Sequence, residues 1–193
     1  MPEADRGERK SRLRTIRISE SLEHSLEKEA ADEGTTINAD VNSIISRHFD
    51  WDKKIRESGV AELPRPLLMG LLEGCSDETL ARIGRDIGPA MWKEMAEFFF
   101  QDSTPDGILN LLAMRSRFDP NMRTAVTKDG DTYTIVMRHD WGHKWSIIAR
   151  NALQELVKQS FHVVPRITQG ESVVTARFKV KSRNLPVTLP PQS

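Results

Sequence analysis

Residues 12–49 read RLRTIRISESLEHSLEKEAADEGTTINADVNSIISRHF, and this stretch decides how the chain is organised. From Thr15 to Ser19 the polarity alternates. Ile16 and Ile18 share one face of an extended segment, and Thr15, Arg17 and Ser19 share the other, which is the pattern of a short strand. A helix is expected next, with Ser19 or Ser21 as N-cap candidates and Glu20 and Glu23 in the first turn, where the helix dipole favours acids. Its apolar positions Leu22, Leu26 and Ala30 recur every fourth residue. Gly34 suits a left-handed C-terminal stop, and Thr35 or Thr36 then caps a second helix bearing Ile37, Val41, Ile44, Ile45 and Phe49.

A lone strand leaves its backbone N–H and C=O groups without partners, and two thin apolar faces in about 50 residues make too small a core. A second copy answers both needs. Two strands pair as an antiparallel ribbon over four helices. Ile16 and Ile18 turn inward, and Thr15 and Arg17 are presented twice about a two-fold axis. A polar two-stranded ribbon of this kind fits the DNA major groove.

These residues resemble the ribbon-helix-helix superfamily of Arc- and MetJ-type repressors. The resemblance runs from Leu13 to about Phe49 and is carried by IRIS followed by ES, by Asp32-Glu33-Gly34 closing the first helix, and by TTINADVN opening the second. It implies base reading by Leu13, Thr15 and Arg17, and phosphate binding at the second helix start by Thr35, Thr36 and Asn38. Leu13 departs from the polar residue usual at the first reading position. Arg12 or Arg14 takes over there, or Leu13 meets a thymine methyl. Arg12 and Arg14 are otherwise expected on phosphates. The alternative is an antitoxin-like or scaffold module in which this segment only dimerises, with Thr15 and Arg17 merely solvated.

Charge is local in this chain. Lys+Arg and Asp+Glu are both 28 among 193 residues, so the net charge is zero. Arg6, Arg9, Lys10, Arg12, Arg14 and Arg17 nevertheless cluster ahead of acidic helices, the arrangement of a basic arm and ribbon facing phosphates. Cys75 is the single cysteine, which excludes an intrachain disulfide and a four-sulfur metal site within one chain. No apolar run reaches a membrane span, and the first ten residues, MPEADRGERK, are not a signal peptide. A cytoplasmic, nucleoid-associated protein with no membrane contact is expected.

Residues 1–11 read as a mobile basic arm, 12–58 as the ribbon-helix-helix domain and 59–66 (GVAELPRP) as a linker. Residues 67–181 read as a C-terminal α+β domain, helical over 67–118 and ββαββ over 122–181. Residues 182–193, with Pro186, Pro190 and Pro191, read as a disordered tail. Trp51 and Ile55 are expected to pack on the next domain or the dimer mate. In the helical part, Ser76 or Asp77 caps a helix with Leu80, Ile83 and Ile87 on one face, and the aromatic-rich run from Pro89 to Gln101 reads as core. Lys128-Asp129-Gly130-Asp131 and Gln169-Gly170 mark two hairpins, the second between strands at Phe161–Thr168 and Ser172–Val180. The helix between the hairpins, Gly142 to Ser160, carries Trp145, Ile148, Ala149, Ala152, Leu153, Leu156 and Val157 as its stripe. A mostly antiparallel four-stranded sheet under one helix is the simplest packing.

His139, Asp140 and His143 are the candidate metal ligands, weighed against a structural turn in which Asp140 caps the helix, Gly142 allows the turn and the tryptophans seal the helix start. No catalytic motif is present and no cofactor is expected, so the chain reads as a non-enzyme. The expected function is a homodimeric DNA-binding transcriptional regulator, a repressor, whose C-terminal domain senses an unknown small-molecule or protein effector or extends oligomerisation. The layout is similar to the nickel-responsive repressors, whose ligand spacing this chain lacks, so nickel is not implied.

Overall fold

The computed structural model describes residues 12–119 and 121–180; the expected arm (1–11) and tail (182–193) lie outside them. The chain divides into two compact units between Phe49 and Asp50.

In the first unit, residues 12–19 carry no regular structure and are exposed throughout. A strand needs a ladder partner, and none of the described residues supplies one here. Helix α1 spans Glu20–Glu33, capped by Ser19, whose side chain accepts from the Leu22 N–H. Gly34 ends it at φ 66°, and both its N–H and that of Thr35 bond back to the Ala30 carbonyl. Only a residue without a Cβ adopts that left-handed turn at no steric cost. Helix α2, Ile37–Arg47, starts at Thr36, whose Oγ1 accepts the Ala39 N–H at 3.2 Å. A π-helical turn, His48–Asp52, and a short helix α3, Lys53–Glu57, follow.

The unit boundary falls at 49/50, ahead of the expected 58. The reason is Trp51. Its ring packs 5.5 Å from Phe99 and stacks 6.0 Å from Phe118, inside the core of the second unit. Ile55 packs against the same cluster, and Lys54 Nζ bonds the Phe99 carbonyl at 3.1 Å. The linker also ends early, because Pro66 sits in the first turn of α4 (Arg65–Glu73).

Helices α5 (Asp77–Asp86), α6 (Gly88–Phe100) and α7 (Pro105–Phe118) make up the rest of the helical part. Ser76 caps α5 by accepting the Thr79 N–H. Leu80 is buried as expected, but Ile87, expected on the same face, is exposed, because the chain turns into α6 there. In α6, Trp92, Met95 and Phe99 are core, whereas Met91 and Phe98 face out.

Strands β1 (Met122–Asp129) and β2 (Thr132–His139) form a hairpin closed at Gly130-Asp131, with Gly130 at φ 56°. Helix α8, Gly142–Phe161, leads to β3 (Arg166–Gln169) and β4 (Val173–Lys179). The strand expected from Phe161 begins only at Arg166, because α8 runs one residue further than expected and closes on a left-handed His162. The sheet is antiparallel throughout, in the order β1-β2-β4-β3. Its inner face, with Tyr133, Ile135, Met137, Val174, Ala176 and Phe178, is buried with the stripe of α8. On the outer face no residue is buried. The α+β class and the ββαββ order are therefore as the sequence implies.

Helix α8 meets α5 and α6 at backbone distance. A Cβ on Gly84 would lie 2.5 Å from the Ile148 carbonyl oxygen, and one on Gly88 would overlap the Ala152 Cβ. Gly70, in α4, has open space around it. Gly84→Ala is therefore expected to destabilise the protein by about 1–3 kcal/mol through overpacking. Gly70→Ala should gain roughly 0.5–1 kcal/mol from helix propensity. Urea denaturation of the two variants reads the difference, and equal midpoints would refute the close approach.

Candidate nucleic-acid interface

The base-reading and phosphate-binding residues expected from the sequence all lie in the first unit. Arg12, Leu13, Arg14, Thr15 and Arg17 follow one another along 12–19, and each is exposed. No acid interrupts this segment. Thr35, Thr36 and Asn38 stand together at the start of α2. Thr36 takes the Ala39 N–H, while the N–H groups of Ile37 and Asn38 have no acceptor among the described residues. Two open donors at the positive end of a helix dipole suit a phosphate oxygen.

Around these polar groups the unit exposes its apolar residues. Leu13 is 96% exposed, Ile16 61% and Phe49 60%, and Ile18, Leu22, Ile44 and Ile45 are also exposed. Only Leu26 and Ala30 are buried apolar residues of α1, and α2 buries none. The inward face expected for Ile16 and Ile18 is therefore uncovered in one chain.

The three candidate metal ligands separate. His139 is buried, and both ring nitrogens are in use. Trp141 N–H donates to Nδ1 at 3.3 Å, so that nitrogen carries no proton. Nε2 lies 2.9 Å from Ser146 Oγ, which is 3.0 Å from the Glu171 carbonyl. A carbonyl only accepts, so the hydroxyl donates to Glu171 and the imidazole Nε2–H donates to the hydroxyl. His139 is thus a neutral tie between β2, α8 and the β3–β4 loop. Asp140 and His143 are exposed, and among the described residues no three His, Cys, Asp or Glu side chains come together as a metal site.

The expected cap by Asp140 is not made. Trp141 occupies the position before α8, and no side chain accepts from the first turn. The Asp140 carbonyl instead receives the Arg65 guanidinium. Gly142 does supply the left-handed turn, at φ 70°, and Trp141 meets Trp145 edge-on at 4.5 Å. Lys144 bonds Asp77 at 2.7 Å, which holds the Asp77 carboxyl below its ordinary value and the Lys144 ammonium above it. Lys144 also bonds the Cys75 carbonyl.

The sheet register reveals a second basic surface that sequence pattern did not single out. Arg123 lies opposite Arg138, and Arg166 opposite Arg177, all on the outer face. The signal was the period-two spacing of Arg177 and Lys179, but only the pairing joins the strands. Comparison of the chain with protein-family models, with curated proteins and with solved structures found no match. No helix among the described residues is long and apolar enough to cross a membrane.

Burial lowers the His139 pKa below 6.5, and the opposing pull of the Asp140 charge is smaller. The unfolded chain therefore binds the proton first. Stability is full above about pH 6.5 and falls as the pH drops through that value towards the lower folded one. His139→Gln removes this acid-sensitive part and costs about 1–3 kcal/mol at neutral pH for the broken buried bonds. Urea midpoints of both proteins at pH 7.5, 6.5 and 5.5 should converge on acidification; a constant gap would contradict the linkage.

Proposed function

We propose that this chain is a homodimeric DNA-binding transcriptional regulator of ribbon-helix-helix type, without enzymatic activity, acting in the cytoplasm at the nucleoid. The observation that carries the reading is the first unit itself. It exposes a row of large apolar side chains while the same segment presents Arg12, Arg14 and Arg17.

A second copy would pair the 12–19 segments as a ribbon, satisfy their backbone groups and cover Ile16, Ile18, Leu22, Ile44 and Ile45. Alternation then turns Arg17 away from that core and into the major groove. Its guanidinium there meets guanine O6 and N7. The Ile37 and Asn38 N–H groups, with Thr35 and Thr36, position phosphates beside it. The C-terminal unit is the sensing or oligomerising part of the regulator.

Sedimentation of the full chain should show a dimer at micromolar concentration, with a thermal midpoint that rises with concentration. Ile18→Asp should yield monomer while leaving the pH response of His139 in place. A well-folded monomer of the unmodified chain would overturn the dimer.

DNA reading is tested on a selected cognate duplex against random duplex at fixed salt. Arg17→Ala should cost specific binding on the order of 2–6 kcal/mol, two bidentate contacts at about 1–3 kcal/mol each, and should cost random binding far less. Thr36→Ala should weaken both about equally. If Arg17→Ala lowers both by one factor, Arg17 is only a phosphate contact. If the dimer binds no duplex at all, the segment only dimerises.

A further inference from the structure

The outer face of the C-terminal sheet points to a second partner-binding surface. It carries Arg123, Arg138, Arg166, Arg177 and Lys179, with Asp129 as the single carboxylate at its strand positions. All five cations are exposed, and none makes an ion pair or side-chain hydrogen bond with the described residues. Two pairs of arginines face each other directly across strands, Arg123 with Arg138 and Arg166 with Arg177. Like charges in that position destabilise a sheet. Three cations elsewhere do hold a carboxylate: Lys144 holds Asp77, Arg115 holds Asp119, and Lys158 holds Glu155. A face that sets arginine against arginine, with no carboxylate between, is built for an anion from outside.

We propose that this face binds the phosphate backbones of duplex DNA. The chemistry between the arginines selects the class of polyanion. Ala125, Thr134, Val136 and Thr175 form a floor of small side chains, and no aromatic ring lies on this face. Proteins that hold single strands stack bases on aromatic rings, which this surface lacks. The two arginine pairs are offset by four residues along the strands and two strands across, Arg138 to Arg177 being two rows apart on adjacent strands. That offset is roughly 14 Å by about 10 Å at ordinary strand geometry. It is the scale on which the two backbones flank a DNA groove, the major one being about 12 Å wide. Each pair then meets one backbone. A second copy of the same face is excluded as occupant, because arginine would meet arginine. The proposal stands independently of the ribbon reading, since it uses other residues and needs no base recognition.

The test uses the full chain and a random-sequence 30-base-pair duplex, titrated at several salt concentrations. The sheet variant carries Arg123→Thr, Arg138→Thr, Arg166→Thr and Arg177→Thr. Threonine suits strands, and loss of the like-charge pairs should leave the thermal midpoint unchanged or raise it. Each lost phosphate contact removes about 0.9 from the slope of log affinity against log salt, so the variant should be shallower by roughly three to four and weaker by about tenfold or more near 0.1 M salt. The matched variant with lysine at all four positions should retain most of the slope, because phosphate contact tolerates either cation.

A separate variant, Arg12→Ala with Arg14→Ala and Arg17→Ala, reports on the ribbon. Loss of slope in the sheet variant supports the proposal whatever the ribbon variant does. An unchanged slope in a folded sheet variant overturns it, and the ribbon variant then shows whether the first reading stands alone. Vesicles of phosphatidylglycerol serve as the competing anionic surface. If the sheet variant loses vesicle binding but keeps its duplex affinity, the face is a lipid-binding patch and the proposal fails.

Discussion

Helix α8 lies between the inner sheet face and two helices that approach it at backbone distance. Gly84 and Gly88 make that approach possible, with Ala152 facing Gly88. Leu153, Leu156 and Val157 are at most 1% exposed, in the core lined by the inner sheet face. Each such side chain contributes about 1.5–3 kcal/mol when fully buried. The same helix ties the sheet together by polar contacts. Ser146 accepts from His139 of β2 and donates to the loop before β4, while Lys144 binds the start of α5. Displacing α8 would leave the inner sheet face, the buried imidazole and the α5 cap region without partners together.

That arrangement has a consequence for the rest of the surface. Because α8 carries the chain from β2 to an edge strand and β4 returns to pair with β2, the helices lie on the buried inner face. The outer face is left to solvent, and the register collects cations there. The first unit shows the complementary condition. Its helices are well capped, by Ser19, Gly34 and Thr36, yet two buried apolar residues cannot hold them as a core. Local signals specify its helices, while tertiary packing within the unit adds little to them.

Whole-chain charge is a poor guide to this protein. The net value is zero, but acids are concentrated along α1, at Glu20, Glu23, Glu27, Glu29, Asp32 and Glu33, and cations along 12–19 and the outer sheet face. Segregation of this kind creates local fields of one sign that a sum conceals.

Features that depend on neighbours in sequence were legible in the sequence alone. The stop at Gly34, the turn at Gly142, the caps at Ser76 and Thr36, the Gly130 hairpin and the period-two burial of Tyr133, Ile135 and Met137 all follow from local backbone sterics and polarity. Tertiary structure alone decided what depends on distant partners. Trp51 joined the second unit because Phe99 and Phe118 offered it a ring-lined site. Asp140 makes no cap and its carbonyl instead receives Arg65, and His139 became a buried tie because Ser146 links its ring to the Glu171 carbonyl. The arginine pairs appeared only once the register of β1 on β2 and of β3 on β4 was set. Register is a non-local choice, made by which faces can be buried together, and no single strand encodes its partner's alignment.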